Sequence, residues 1–513
     1  MNKMTLKEKI GQLIVFGFPE TEVTPRIEKL IKEYKLGNIL LFARNVKTTE
    51  QLFKLNNDIQ ELMIKNLGYP AFITIDQEGA MVTRIADKAT FFPGAMTLAA
   101  TNNPKNAYMQ GKHMACELDA LGINMNLAPV LDVNNNPLNP VIGARSFSDD
   151  VEIVNRFSEA YIEGLQTRVI ATGKHFPGHG DTHVDSHLAL PKVSFDKDRL
   201  HKIELAPFKN AIDKGIKSIM SAHVVFEAYD DKPATLSKTL LTDLLRDELG
   251  FEGLIVTDGM EMKAILNNYG SIESSINAIL AGADLLLYCH NEHEQIGAAK
   301  LLEEAVLDGR IPMEVIDDRV ERILKFKREL TTNIGKTYED VKKRVENPKH
   351  RKFAQDIVIE ALTLVKGEPF KKKGNVLFLG QLPKATTFAD LTDGKSSAIE
   401  MLKDLDCDFL EVSINPEKEE RDKLIKASSK YDQVVLTTYN SNIYTKQLDL
   451  IRELLKLNNE LHVVSLRNPY DLYFVKEIKN YVCLYEYTKN SINALKLYLK
   501  GQITPKGTFP IHV

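Results

Sequence analysis

The segment from Lys174 to Pro191 concentrates residues able to do chemistry. It holds His175, His179, His183 and His187 together with Lys174, Asp181 and Asp185. Two chemistries compete for such a set, a metal site built from His and Asp or a proton-transfer loop. A zinc hydrolase places its histidines on one face of a helix, and Pro177, Gly178 and Gly180 preclude a helix here, so no metal is expected. Asp185 precedes His187 by two residues. In an extended loop both side chains leave the same side. A carboxylate so placed fixes the tautomer of the imidazole and stabilises its charged form. On these residues alone, an acid/base pair and an ordinary loop histidine both stay open.

Further polar residues follow a series of apolar runs. Asp76-Gln77-Glu78-Gly79 and Arg84 follow the run Ala71 to Ile75, and Asp132, Asn134, Asn135, Asn136 and Arg145 follow Ile123 to Ala128. The Lys174 segment follows Val169 to Thr172, His223 follows Ser218 to Ser221, and Asp258 follows Leu254 to Thr257. With Leu13 to Phe16, Asn38 to Phe42 and Asp284 to Tyr288 the runs number eight, rich in Ile, Val and Leu, as strands buried on both faces are. Stretches long enough for helices lie between them, such as Asn155 to Thr167, Glu204 to Lys214 and Ser237 to Glu248. Eight strands and eight crossovers in about 330 residues point to a (β/α)8 TIM barrel, ahead of a doubly wound open sheet. In a barrel the chemistry gathers at the C-terminal ends of the strands, where these polar residues fall. Carboxylates, amides and cations on one rim suit a ligand with many hydroxyls and no strong charge of its own.

Beyond Leu330 the composition shifts. Thr331 to His350 is polar, with Gly335 and Pro348 as breakers. A second α/β pattern follows, with an apolar helical stretch from Phe353 to Val365 and strands expected at Val376 to Leu379, Val434 to Thr437, His462 to Leu466 and Val482 to Tyr485. Helices are expected at Ser396 to Asp404 and Gln447 to Lys456. The expected organisation is a catalytic barrel over residues 1–332, a linker over 333–350 and a smaller α/β sandwich domain over 351–513.

The chain has 513 residues, enough for two full cores, and a net charge of −4 with both signs mixed. That balance gives no reason to expect a nucleic acid or an anionic membrane surface as partner. No apolar run is long enough to span a bilayer. The four cysteines are widely spaced, with no paired motif, which suits a reducing compartment, and the cytoplasm is the expected location. Nothing in the sequence specifies an oligomeric state.

The motifs together resemble glycoside hydrolase family 3, and within it the β-N-acetylglucosaminidases of the cell-wall recycling type. The resemblance covers nearly the whole length. Lys174-His175-Phe176-Pro177-Gly178-His179-Gly180 followed by Asp185-Ser186-His187 is similar to the signature loop of that subgroup. Ile75-Asp76-Gln77-Glu78 with Arg84, and Asn126 to Asp132 through Arg145-Ser146-Phe147, resemble its substrate-binding segments, and Val256 to Met262 its nucleophile segment. Val464 to Asp471 and the Gly507-Thr508-Phe509-Pro510 ending resemble the C-terminal domain of the family. One departure is Ala80, where the family usually has a second glycine after Glu78-Gly79.

The resemblance implies Asp258 as nucleophile, His187 as acid/base and Asp185 as its partner. It implies Asp76, Arg84, Arg145, Lys174 and His175 as binders of the sugar. It implies a retaining, exo-acting β-N-acetylglucosaminidase needing no cofactor, with a small glycan or muropeptide as substrate. A β-glucosidase or β-xylosidase, a phosphorylase, and a sugar-binding protein on a hydrolase scaffold are the alternatives. The Asp-Ser-His triplet disfavours the first, and the presence of Asp258, Asp185 and His187 together disfavours the last. For the C-terminal domain a scaffold or dimer role is expected.

Overall fold

A computed structural model of the chain describes residues 4–85, 88–183, 189–381, 402 and 404–512. The Asp185–His187 pair lies outside them. Eight parallel strands close into a barrel: β1 (Ile14–Gly17), β2 (Asn38–Leu41), β3 (Ile73–Ile75), β4 (Met125–Asn126), β5 (Ile170–Phe176), β6 (Ser218–Ser221), β7 (Leu254–Gly259) and β8 (Leu285–Tyr288). Neighbours in the chain are neighbours in the barrel, and β8 pairs with β1 to close it. The strands are almost wholly buried because the lumen packs one face and the surrounding helices the other.

β5 differs from its expected extent. It runs on to Phe176, so Lys174 and His175 lie within a strand and not in the loop that follows it. Pairing with β6 is maintained to this point, with a register shift between Lys174 and Phe176. A strand end gives these two side chains a firmer mount than a loop would.

The second sheet has the order β9 (Thr363–Lys366), β14 (Asn480–Cys483), β13 (Glu460–Ser465), β12 (Gln433–Thr438), β10 (Val376–Gln381), β11 (Asp408–Val412), parallel except for β9 against β14. Two of its strands were not expected. β9 directly follows the helix Pro348–Ala361 and reads as its continuation. β11 exposes Asp408 and Glu411, so it lacks the unbroken apolar run of a buried parallel strand. Of the helix expected at Ser396 to Asp404, all but two residues lie outside the described part. The stretch expected as a linker is packed on the barrel: it holds the helix Tyr338–Val345, and Asn333 donates to the carbonyls of Asp119 and Ala120.

The two halves share apolar contacts. Met96, Ala100 and Ala144 of the barrel half are buried in one cluster with Leu377, Leu436, Tyr470 and Tyr485 of the second sheet. At the N-terminal mouth of the barrel Lys327 is buried. Its Nζ donates to Gln12 Oε1 at 2.7 Å and to the Gly37 carbonyl at 3.0 Å, both neutral acceptors. Burial lowers its pKa to about 7. Among the described residues no helix is long and apolar enough to cross a membrane.

Candidate active site

At the C-terminal mouth four charged side chains form one chain of contacts. Lys174 Nζ, on β5, lies 2.7 Å from Asp76 Oδ1 and 2.6 Å from Glu78 Oε1, both just beyond β3. Arg145 then holds Glu78 with Nε at 3.0 Å and Nη2 at 2.8 Å. Two cations and two carboxylates leave the cluster neutral. Lys174, Glu78 and Arg145 are buried, while Asp76 is more open, its side chain 22% exposed. Burial alone would raise the Glu78 carboxyl; Arg145 and Lys174 outweigh it and hold the group below the usual carboxylate range. Burial pulls Lys174 down, and Asp76 and Glu78 more than reverse it, so its ammonium is held above its ordinary value.

The turn carrying these carboxylates is fixed from beneath. Asn126 receives the Gln77 N–H on Oδ1 and donates Nδ2 to the Gln77 carbonyl, which ties β4 to the end of β3. Gln77 Oε1 accepts the backbone N–H groups of Arg84 and Ile85, which closes the turn, and the Arg84 side chain is buried. Gly79 has φ +104°, and a Cβ there would lie 2.2 Å from the Pro93 carbonyl. Ala80 has φ +47°, in the left-handed region, so the usual glycine of the family is explained and the alanine here is strained. Its methyl faces Gly94, where an added Cβ would approach it to 2.9 Å.

Asp132 organises the next wall. It is fully buried and accepts the backbone N–H groups of His175 at 3.1 Å and His179 at 2.7 Å. Its Oδ2 lies 2.8 Å from His175 Nδ1. A carboxylate oxygen at this distance accepts a proton-bearing Nδ1, which fixes the orientation of the ring. The loop beyond is pinned as far as His183: Asn139 donates to the carbonyls of His179 and Gly180, and Asn136 meets His183 Nδ1 at 3.2 Å. Burial lowers His179 to about 4, so this histidine stays neutral.

Asp258 stands in the last turn of β7, half-buried, its Oδ1 accepting the Gly259 N–H at 2.8 Å. The strand end is braced twice. His223 Nε2 lies 2.9 Å from the Gly259 carbonyl, and Glu261 accepts three consecutive N–H groups, Cys289 to Asn291, after β8. Burial raises the Cys289 thiol, and the charges of Glu261, Asp258 and Asp76 add to it, which places both Asp258 and Asp76 near this end of β8.

The structure therefore gathers Asp76, Arg145, Lys174 and His175 on one rim, with Arg84 buried in the turn after β3 and Asp258 at the end of β7, two strands on from β5. The expected partners Asp185 and His187 fall outside the described residues. Two organising carboxylates, Glu78 and Asp132, were read from sequence as polar residues of the rim but were given no role of their own. Both sit in motifs already read as substrate-binding segments, and their position just past a buried strand was the available signal.

Residues 5–326 match the family model described as glycosyl hydrolase family 3 N terminal domain. The chain belongs to glycosyl hydrolase family 3. It is 34% identical over 398 residues to beta-hexosaminidase A of Pseudoalteromonas piscicida, an alignment covering 72% of this chain and 66% of that protein, just under two thirds of it. It is 37% identical over 292 residues to a beta-hexosaminidase of Haemophilus influenzae, covering 55% of this chain and 80% of the other. A solved family 3 β-N-acetylglucosaminidase from Paenibacillus sp. str. FPU-7 superposes with a TM-score of 0.90 at 38% identity, covering 99% of both chains. The barrel and the second sheet are thus both shared with a family 3 structure.

Proposed function

We propose that this family 3 protein is a retaining, exo-acting β-N-acetylglucosaminidase that removes terminal N-acetylglucosamine from small glycans, muropeptides in the cytoplasm being the substrate class. The observation that carries the reading is the neutral Asp76–Lys174–Glu78–Arg145 cluster on the same rim as Asp258. Hydroxyls of an uncharged sugar find both donors and acceptors there, and no net charge has to be matched. The full-length likeness to a solved β-N-acetylglucosaminidase supports the sugar, and four free cysteines suit a reducing compartment.

In this reading Asp76, Arg84, Arg145, Lys174 and His175 bind the sugar. Asp258 attacks the anomeric carbon from its fixed strand end. His187, paired with Asp185, gives a proton to the leaving oxygen and then takes one from water in the second step. A histidine with an ordinary pKa of about 6.5 serves both steps near neutral pH.

The test is a matched pair of aryl β-glycosides differing only at C2. The acetamido sugar is expected to be cleaved at least about a hundredfold faster than the glucoside, because loss of a recognised hydrogen-bonding group costs several kcal/mol. Equal rates would overturn the sugar assignment. A 2-fluoro analogue is expected to label Asp258, and labelling of Asp76 or Asp132 would show that the nucleophile lies elsewhere.

A further inference from the structure

We infer that the second sheet takes part in sugar binding through Asn468 and Tyr470, which act as positioning residues for Arg145. The inference rests on the reading of Arg145 as a substrate-binding residue. Arg145 ends a single short turn, Gly143–Arg145, with no helix to set its direction. Glu78 and the Val141 carbonyl hold its guanidinium, while the two preceding peptide groups set where its backbone lies: Ala144 is held directly from the other half of the molecule, and Gly143 through Asn134 of the barrel. Asn468 Oδ1 accepts the Ala144 N–H at 3.0 Å. Asn134 Oδ1 accepts the Gly143 N–H at 3.0 Å, and Asn134 Nδ2 in turn donates to the Tyr470 hydroxyl at 2.5 Å.

Both residues are built to do this. They lie just beyond β13 and are buried, 5% and 3% exposed. Asn468 is fixed by its own N–H on Asn440 Oδ1 and by Ser465, whose hydroxyl donates to its carbonyl. On the other side Gly143 has φ +48°, and a Cβ there would lie 2.4 Å from Asn468 Oδ1, so the approach requires glycine at that position. A small cavity of about 20 Å³ is bounded by Glu78 and Arg145 on the barrel side and Arg467 and Tyr485 on the other, which puts the Glu78–Arg145 pair itself at the junction of the two halves. The second contact point is Glu486, whose Oε2 accepts the Gly94 N–H at 2.9 Å and the Thr97 hydroxyl at 2.7 Å, next to the turn that carries Glu78. The second sheet therefore holds the Arg145 turn and also the Gly94 segment packed against the Glu78 turn. A displacement of the guanidinium by a fraction of an ångström is enough to weaken a hydrogen bond to a bound hydroxyl.

The experiment measures KM and kcat on an aryl β-N-acetylglucosaminide, the inhibition constant of N-acetylglucosamine, and Tm, for Asn468→Ala, Asn468→Asp, Tyr470→Phe and Arg145→Ala. Asn468→Ala and Tyr470→Phe are expected to raise KM and the inhibition constant about tenfold, the equivalent of one lost hydrogen bond, with kcat changed less than about twofold. Asn468→Asp keeps the Oδ1 acceptor and is expected to return both constants to within about threefold of the native values. Tyr470→Phe removes a single hydroxyl and carries the test if Asn468→Ala does not fold. A lower Tm with unchanged KM in Asn468→Ala and Tyr470→Phe, while Arg145→Ala raises KM, would reduce these contacts to interdomain adhesion and overturn the inference alone. An unchanged KM in Arg145→Ala would overturn the substrate-binding reading beneath it.

Discussion

Arg145 grips Glu78 through two nitrogens at 3.0 and 2.8 Å, and the oxygen that takes the shorter of these, Oε1, also holds Lys174 at 2.6 Å. Two cations are thus kept in place by one anion that itself points away from solvent. Glu78→Gln would leave Lys174 and Arg145 buried with half their countercharge. Breaking such a pair costs about 3–5 kcal/mol, so the variant is expected to unfold at clearly lower urea concentration and to bind N-acetylglucosamine at least about tenfold more weakly. A native urea midpoint with native inhibition by the sugar would show that Glu78 does not organise the rim.

Ala80 offers the opposite test, a substitution that should help. Its φ of +47° is one that glycine adopts without a Cβ penalty. The relief of about 1–2 kcal/mol is partly offset by the greater freedom of glycine in the unfolded chain, so Ala80→Gly is expected to stabilise the protein by about 0.5–1 kcal/mol. Equilibrium denaturation reads it, and a destabilised variant would mean that the contact of the methyl with Gly94 outweighs the strain.

Much of this arrangement was legible in the sequence, and the limits have physical causes. Barrel strands buried on both faces announce themselves as unbroken apolar runs, and each of the eight fell within a few residues of its place. Strand ends are harder: Lys174 and His175 look like loop residues because they are polar, yet they extend β5 by turning their side chains to a polar rim. β11 was missed because an edge strand with Asp408 and Glu411 exposed has no such run. In the site, the residues proposed to bind the sugar are readable from motif and charge. Glu78 and Asp132 act through other side chains, and only coordinates show that each satisfies several donors at once.

The acid/base role proposed for His187 makes a prediction that depends on the leaving group. His187→Ala is expected to slow hydrolysis of a glycan or an alkyl glycoside by about a hundredfold or more, and of a dinitrophenyl glycoside far less, because a good leaving group departs without a proton. Asp185→Ala is expected to give a weaker form of the same pattern. If both variants lose activity equally across leaving groups, measured as a plot of log kcat/KM against leaving-group pKa, the loop binds substrate and transfers no proton.

Acid should unfold the protein earlier than its surface charge would require. Burial holds His179 at about 4 against an unfolded value of about 6.5. The neutral form is the one the fold accepts, so stability is full above pH 6.5 and falls as pH drops from there to about 4, by roughly 3 kcal/mol from this residue. His113, stacked on His350 at 4.2 Å and also lowered to about 4 chiefly by burial, adds in the same direction. Glu78, depressed by its two cations, contributes above its unfolded value and loses that contribution as pH falls below about 4.5. Urea midpoints at pH 7.5 and pH 4.5 should differ clearly in the native protein and less in His179→Asn. An equal pH dependence in the two would remove His179 from the account.

The buried lysine at the far mouth separates two demands that most enzymes place on one region. Lys327 lies among neutral acceptors at the end of the barrel opposite Asp258, and its charge there opposes folding at neutral pH. Exchanging Lys327 and Gln12 together for apolar side chains would turn that plug into ordinary packing and touch nothing at the working mouth. Heat tolerance can thus be bred into the floor of this scaffold while the rim is left to specify the sugar, and the two lines of selection need not compromise each other.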